Sequence, residues 1–396
     1  MDEIIKETKN KMEVTLKRAG KRVFFKNLDA WRFIAFLGVF LVHGFNTTQS
    51  SILDNSVFKL MLSVFQYGRL GVDLFFVLSG FLITYLLLVE ENKSKKKLYN
   101  ILNFWGRRVL RIWPLYFMVL AYAFILFEPL IEIITKTGKV ETASLYYYLF
   151  FIPNFQLVLH DAYPLNNCLT VLWSVGVEEQ FYLFWPLLFF FRKLRLWVIV
   201  AIIAGSIYFR YLNFEDFKTI YYHTFSVMGV LGIGCLLGYF CFAKKFLQSS
   251  IFIPKLVNFG IYVFGLTMIF LYPIYFISSL GIAFFTTLSG LFFAYIIFEQ
   301  VFVKNPLFNL GSVKFLNYWG KYTYGLYCLH PIGILISFNI TKIIKLEDSI
   351  YWVSIGENII SLLLSMIIAW SSYHVVEKHF LKLKRRITGV TSPPLN

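Results

Sequence analysis

Charge is scarce in this chain of 396 residues. Only 15% are Asp, Glu, Lys or Arg, against about a quarter in a soluble globular domain. Cysteine is scarcer, with four residues, and they show neither a pairing framework nor a CxxC metal spacing. Cys235, Cys241 and Cys328 fall inside apolar blocks, which leaves Cys168 alone in an expected external loop. The opening stretch MDEIIKETKNKMEVTLKRAGKRVFFKN lacks the small-residue cleavage site of a signal peptide, so the first apolar block is expected to direct insertion. Internal repeats, low-complexity linkers and a second soluble domain are also missing. These absences exclude a disulfide scaffold, a CxxC metal module and a multidomain soluble architecture.

Apolar residues are what the chain has in excess: 58% are hydrophobic and 20% aromatic, and mean hydropathy is +0.65. They come in long blocks. Crossing a hydrocarbon core of about 30 Å takes roughly 20 residues of helix. Blocks of that kind lie at about 28–49, 69–90, 112–134, 172–191, 196–212, 220–243, 256–276, 279–303, 318–341 and 351–377. The fold class expected is all-α, a polytopic transmembrane bundle of about ten spans with both termini cytoplasmic.

The formal charge of +16 would suggest nucleic acid in a soluble protein. Here the cations sit in short clusters between apolar blocks. With the amino terminus inside, 29 of the 38 Lys and Arg fall in inner segments, eight in outer ones, among them Lys136, Lys139, Arg69 and Arg210, and Arg32 lies within the first span. That asymmetry follows the positive-inside rule and excludes a phosphate-tracking groove. Residues 1–27 form a basic cytoplasmic flank, either an amphipathic surface helix or a loosely ordered topology signal. Residues 28–380 form the membrane domain, and 381–396 a short basic tail. The longest external loop, 135–171, contains LYYYLFFIPNF and reads as a re-entrant piece or a lid.

Ionisable groups inside a bilayer are expensive, so each one is a candidate site residue. The first span carries Asp29, Arg32 and His43. Arg32 and His43 are separated by a helical rotation that brings them within roughly 20° of each other, at depths about 16 Å apart. A snorkelling Arg and a packed His would look the same. The second span carries Asp73 near its outer end and the small polar pair Ser79 and Gly80, which equally suits close helix packing. Ser174, Glu178 and Tyr182 form one stripe of the fourth span, at i, i+4 and i+8, with Glu179 beside it. A carboxylate at the depth of His43 is expected to orient it, with Glu178 favoured and Asp73 the alternative. Arg107, Arg108 and Arg111 precede the third span and suit either phosphates or a topology signal. His330 lies mid-span before Pro331 and is a candidate second or gating histidine.

The ordered segments LDAWRFIAFLGVFLVH, GVDLFFVLSGFLIT, RRVLRIWP, WSVGVEEQFYLFWP and YGLYCLHP resemble the acyltransferase 3 family of integral membrane acyltransferases. The resemblance implies transfer of an acyl group, often acetyl, from cytoplasmic acyl-CoA to a hydroxyl of a carbohydrate or other envelope acceptor. It implies that His43 is the essential catalytic residue, that Arg32 handles the donor, and that Arg107, Arg108 and Arg111 meet the CoA phosphates. It also implies residence in a bacterial inner membrane. The chain departs from relatives at Glu377–Lys378–His379, where a proline is usual, and shows no external hydrolase-like domain.

The expected mechanism needs no metal or bound cofactor, only acyl-CoA, most simply acetyl-CoA, as co-substrate. His43 acts either as general base on the acceptor or as an acyl carrier. Both routes need an uncharged imidazole, so activity should fall below about pH 6. A transporter or lipid-linked glycan flippase using the buried His, Asp and Glu as a pathway is the rival reading.

Overall fold

The computed structural model describes residues 25–388 apart from 26, 95, 128, 130–140, 161, 247–250 and 272–277. Residues 1–24 of the proposed flank, Lys136, Lys139 and the end of the basic tail lie outside the described residues. Among the described residues ten long helices follow one another, and each expected apolar block overlaps one of them, Lys97–Ala121 lying mostly before its block. They are α1 (Asn27–Gly44), α2 (Leu70–Lys93), α3 (Lys97–Ala121), α4 (Asn167–Phe184), α5 (Arg195–Leu212), α6 (Thr224–Ala243), α7 (Lys255–Phe270), α8 (Ser279–Phe302), α9 (Thr323–Ile343) and α10 (Glu357–Ser372). A last helix, α11 (Lys378–Thr388), follows. Among the described residues the only β-type pairing is an isolated bridge between Ile251 and Val303.

Seven helical stretches among the described residues are long and apolar enough to cross a membrane by themselves: Ser56–Lys93, Lys97–Phe127, Arg195–Leu212, Phe217–Ala243, Ser279–Phe302, Thr323–Ile343 and Trp352–Leu383. α7 is shorter, at 16 residues. α1 and α4 carry the ionisable groups singled out above, and one face of each is buried in protein. A helix wrapped by other helices does not need to be apolar all round, because its polar side chains face protein cavities instead of lipid.

Small residues let the interior helices approach one another. A side-chain carbon at Gly80 would lie 2.0 Å from the Leu231 carbonyl oxygen, and one at Gly234 would lie 2.1 Å from that of Val77. α2 and α6 therefore pack backbone to backbone, and Gly80 serves packing. α1 and α2 meet similarly, with Gly71 against the Ala35 carbonyl.

Two expectations change. Arg210, counted with the outer cations, is buried on α5, where it donates to the Ala283 and Ser226 carbonyls and to Thr287. Its guanidinium is satisfied by backbone oxygens that a sequence does not display. Cys168 is buried in the first turn of α4, not exposed in a loop. The LYYYLFFIPNF stretch forms two short helices, Leu145–Leu149 and Pro153–Leu159. They are fastened to α4 where Gln180 donates to the Phe151 carbonyl (2.8 Å) and to Asn154 (2.9 Å).

Candidate active site

Two cavities occupy opposite ends of α1. The larger, about 290 Å³, surrounds Phe25, Leu28 and Arg32 at the start of the helix. Arg108, Arg111 and Lys321 give it a cationic wall, and Ser174, Glu178 and Tyr182 reach it from α4. The i, i+4, i+8 stripe of α4 thus faces one space.

The arginines divide according to their positions on α3. This helix begins at Lys97, so the RRVLR cluster lies within it and not in a loop before a span. At about 100° per residue, Arg111 falls between Arg107 and Arg108 on the helix surface. Arg108 and Arg111 turn to the cavity. Arg107, on the far flank, donates to both oxygens of Glu90 at 2.6 and 2.9 Å and is not part of the lining. The grouping of three arginines is corrected accordingly. Arg108 lies over the Tyr182 ring, 4.8 Å from its centroid. Arg32 is ion-paired with the buried carboxylate of Asp29. Arg111 meets no acceptor among the described residues, so its fork of donors is open to the cavity. Lys321, read in the sequence only as a topology cation, adds an ammonium. Three guanidiniums and an ammonium around one space suit a polyanion.

Glu178 is held inside that cavity. It accepts from Ser79 Oγ at 2.7 Å and from Tyr182 OH at 2.6 Å. Glu179, one residue and about 100° further on, accepts from Trp113 Nε1 at 2.9 Å. Ser79, unlike its neighbour Gly80, therefore belongs to a polar network.

The second cavity, about 170 Å³, lies at the other end of α1, and His43 lines it with Arg69, Trp173, Tyr221 and Tyr222. His43 is exposed to this space. The two carboxylates expected beside it are engaged elsewhere. Glu178 is engaged with Ser79 and Tyr182, and Asp73 turns toward α8, accepting from Ser289 Oγ at 3.3 Å. Sequence depth alone could not tell that the two residues face different cavities. The ring beside His43 is that of His330, with centroids 5.2 Å apart. His330 is fully buried. Its Nδ1 lies 2.8 Å from the Tyr327 carbonyl oxygen and 3.2 Å from that of Leu326, whereas Nε2 has no partner among the described residues.

Tyr327, within the YGLYCLHP segment and unmarked by its sequence, lines both cavities together with Val72. Its hydroxyl is 2.6 Å from Ser174 Oγ. A tyrosine hydroxyl one turn from the mid-span histidine was the available signal.

Comparison with known proteins matches residues 25–374 to an acyltransferase domain. The peptidoglycan O-acetyltransferase OatA of Listeria monocytogenes is 28% identical over 335 residues, covering 78% of this chain and 51% of that protein. The O-acetyltransferase OatA of Staphylococcus aureus is 28% identical, with 78% and 52% covered. A putative peptidoglycan O-acetyltransferase of Bacillus subtilis, YrhL, is 25% identical, with 78% and 50% covered. The chain spans about half the length of these curated relatives. No solved structure matches it significantly.

Proposed function

Because this chain belongs to the acyltransferase 3 family, we propose that it moves an acyl group, acetyl by the names of its relatives, from acyl-CoA to a hydroxyl of a cell-envelope glycan. The observation that carries this reading is the pair of cavities meeting at one wall, one cationic and the other holding His43. The phosphates of CoA would sit against Arg108, Arg111, Lys321 and Arg32, and its pantetheine arm would run along α1 toward His43. With the cationic end on the cytoplasmic side, as the distribution of Lys and Arg implies, donor and acceptor would arrive from opposite faces.

The chemistry follows from the imidazole pair. His43 takes the proton of the acceptor hydroxyl as its oxygen attacks the thioester carbonyl. His330, with Nδ1–H committed to the backbone and Nε2 unpartnered, would stabilise the imidazolium as it forms in the adjacent ring. The tetrahedral intermediate collapses with loss of the CoA thiolate, which takes the proton back from His43. Glu178, with Ser79 and Tyr182, shapes the donor side and does not act as the base.

The test is transfer of label from radioactive acetyl-CoA to an N-acetylglucosamine oligomer by the purified chain in liposomes, with thiol release followed in parallel. We expect both in the wild type and neither in His43→Ala, which should still bind acetyl-CoA. Normal turnover by His43→Ala would overturn the reading.

A further inference from the structure

A base that activates a sugar hydroxyl activates water equally well, since both present an O–H to the same nitrogen. His43 lines the second cavity and its side chain is accessible. A thioester reaching it before the acceptor would be hydrolysed: water oxygen bonds to the carbonyl carbon, the C–S bond breaks, and a carboxylic acid and CoA thiol leave. The protein therefore needs a barrier between the spaces. Tyr327 and Val72 are the two residues common to both linings. Tyr327 is 7% exposed and Val72 5%. The tyrosine ring stands edge-on to Phe75 at 5.9 Å, and its hydroxyl is tethered to Ser174 at 2.6 Å.

We propose that Tyr327, latched by Ser174 and backed by Val72, is a partition that holds the thioester away from water until an acceptor fills the His43 cavity. The inference rests on the reading above. Opening is inexpensive because it breaks one hydroxyl–hydroxyl contact, and Ser174 Oγ has the Val171 carbonyl at 3.5 Å as a second acceptor. The site of closure is adjacent to catalysis, since the Tyr327 ring lies 6.2 Å from that of His330. Excluding water from the reacting centre is what separates a transferase from a thioesterase here.

The experiment follows thiol release from acetyl-CoA by the full chain in liposomes without acceptor. Tyr327→Ala is expected to raise this leak about tenfold relative to transfer, while Tyr327→Phe, which keeps the ring, stays within about threefold of the wild type. Ser174→Ala loses the same hydroxyl–hydroxyl contact as Tyr327→Phe and should match it, and adding His43→Ala to Tyr327→Ala should remove the leak. Val72→Ala thins the same wall and carries the same expectation if Tyr327→Ala does not fold. Wild-type rates of thiol release from Tyr327→Ala or Val72→Ala that bind acetyl-CoA normally would overturn the partition alone. Absence of His43-dependent transfer in the wild type would overturn the reading beneath it.

Discussion

His330 directs Nδ1 at the carbonyl oxygen of Tyr327, 2.8 Å away, an oxygen that Pro331 cannot bond because it has no N–H. In a regular helix the amide of residue 331 would occupy that acceptor. The proline thus leaves a carbonyl free, the carbonyl fixes the protonated nitrogen of His330, and Nε2 remains as a lone-pair acceptor in the buried space beside His43.

This arrangement predicts that His330→Ala lowers kcat for acetyl transfer by about a hundredfold with little change in the KM for acetyl-CoA. Steady-state kinetics in liposomes would check it. A rise in KM at constant kcat would instead make His330 a packing residue.

The divided arginine cluster predicts a divided response. Arg111→Gln should raise the KM for acetyl-CoA about tenfold, since it removes a charge-assisted contact to the donor. Arg107→Gln breaks a partly exposed ion pair with Glu90 and should cost about 1 kcal/mol of stability or less while leaving the donor KM alone. Titration with CoA and thermal unfolding in detergent separate the two. Equal losses of affinity would return Arg107 to the donor site.

Much of this architecture is legible in the residues because a bilayer restricts a chain so severely. Long apolar blocks mark the helices, and intramembrane charge marks α1, α2, α4 and α9. The failures share one cause. Sequence periodicity places Glu178, Asp73 and His43 on faces and at depths, but which face meets which depends on how the helices rotate against one another. That rotation is set by contacts such as Gly80 against Leu231 and Gly71 against Ala35, which join residues far apart in the chain. The burial of Arg210 was hidden for the same reason, since its acceptors are carbonyls on α6 and α8. Lys321 was hidden by its resemblance to an ordinary topology charge.

Asp73 faces Ser289 and lies outside the lining of both cavities. Asp73→Asn keeps the hydrogen bond and should leave kcat within about threefold of the wild type. A hundredfold loss, measured in the same liposome assay, would restore Asp73 as the orienting carboxylate.

The pH response can be assigned by separating two groups that serve the His43 cavity. Asp216 caps the short helix Phe217–Tyr222, accepting from Thr219 N at 3.1 Å and Thr219 Oγ1 at 2.6 Å. The Thr219 hydroxyl holds its carboxyl below the ordinary value of 3.8. A group whose pKa is lowered by folding stabilises the fold fully above its unfolded value and loses that contribution only as the pH falls through the lower, folded one. The cap is therefore complete throughout the range above about pH 4. Asp216 therefore takes no part in any decline of kcat above that range. Asp216→Ala removes the cap at every pH, at a cost of about 1 kcal/mol, and loosens the helix that brings Tyr221 and Tyr222 to the His43 cavity. It should raise the KM for the glycan acceptor roughly threefold to fivefold, leave the KM for acetyl-CoA unchanged, and keep the same acid limb in the kcat profile. An acid limb shifted by Asp216→Ala would show that the carboxylate, and not an imidazole, controls that titration.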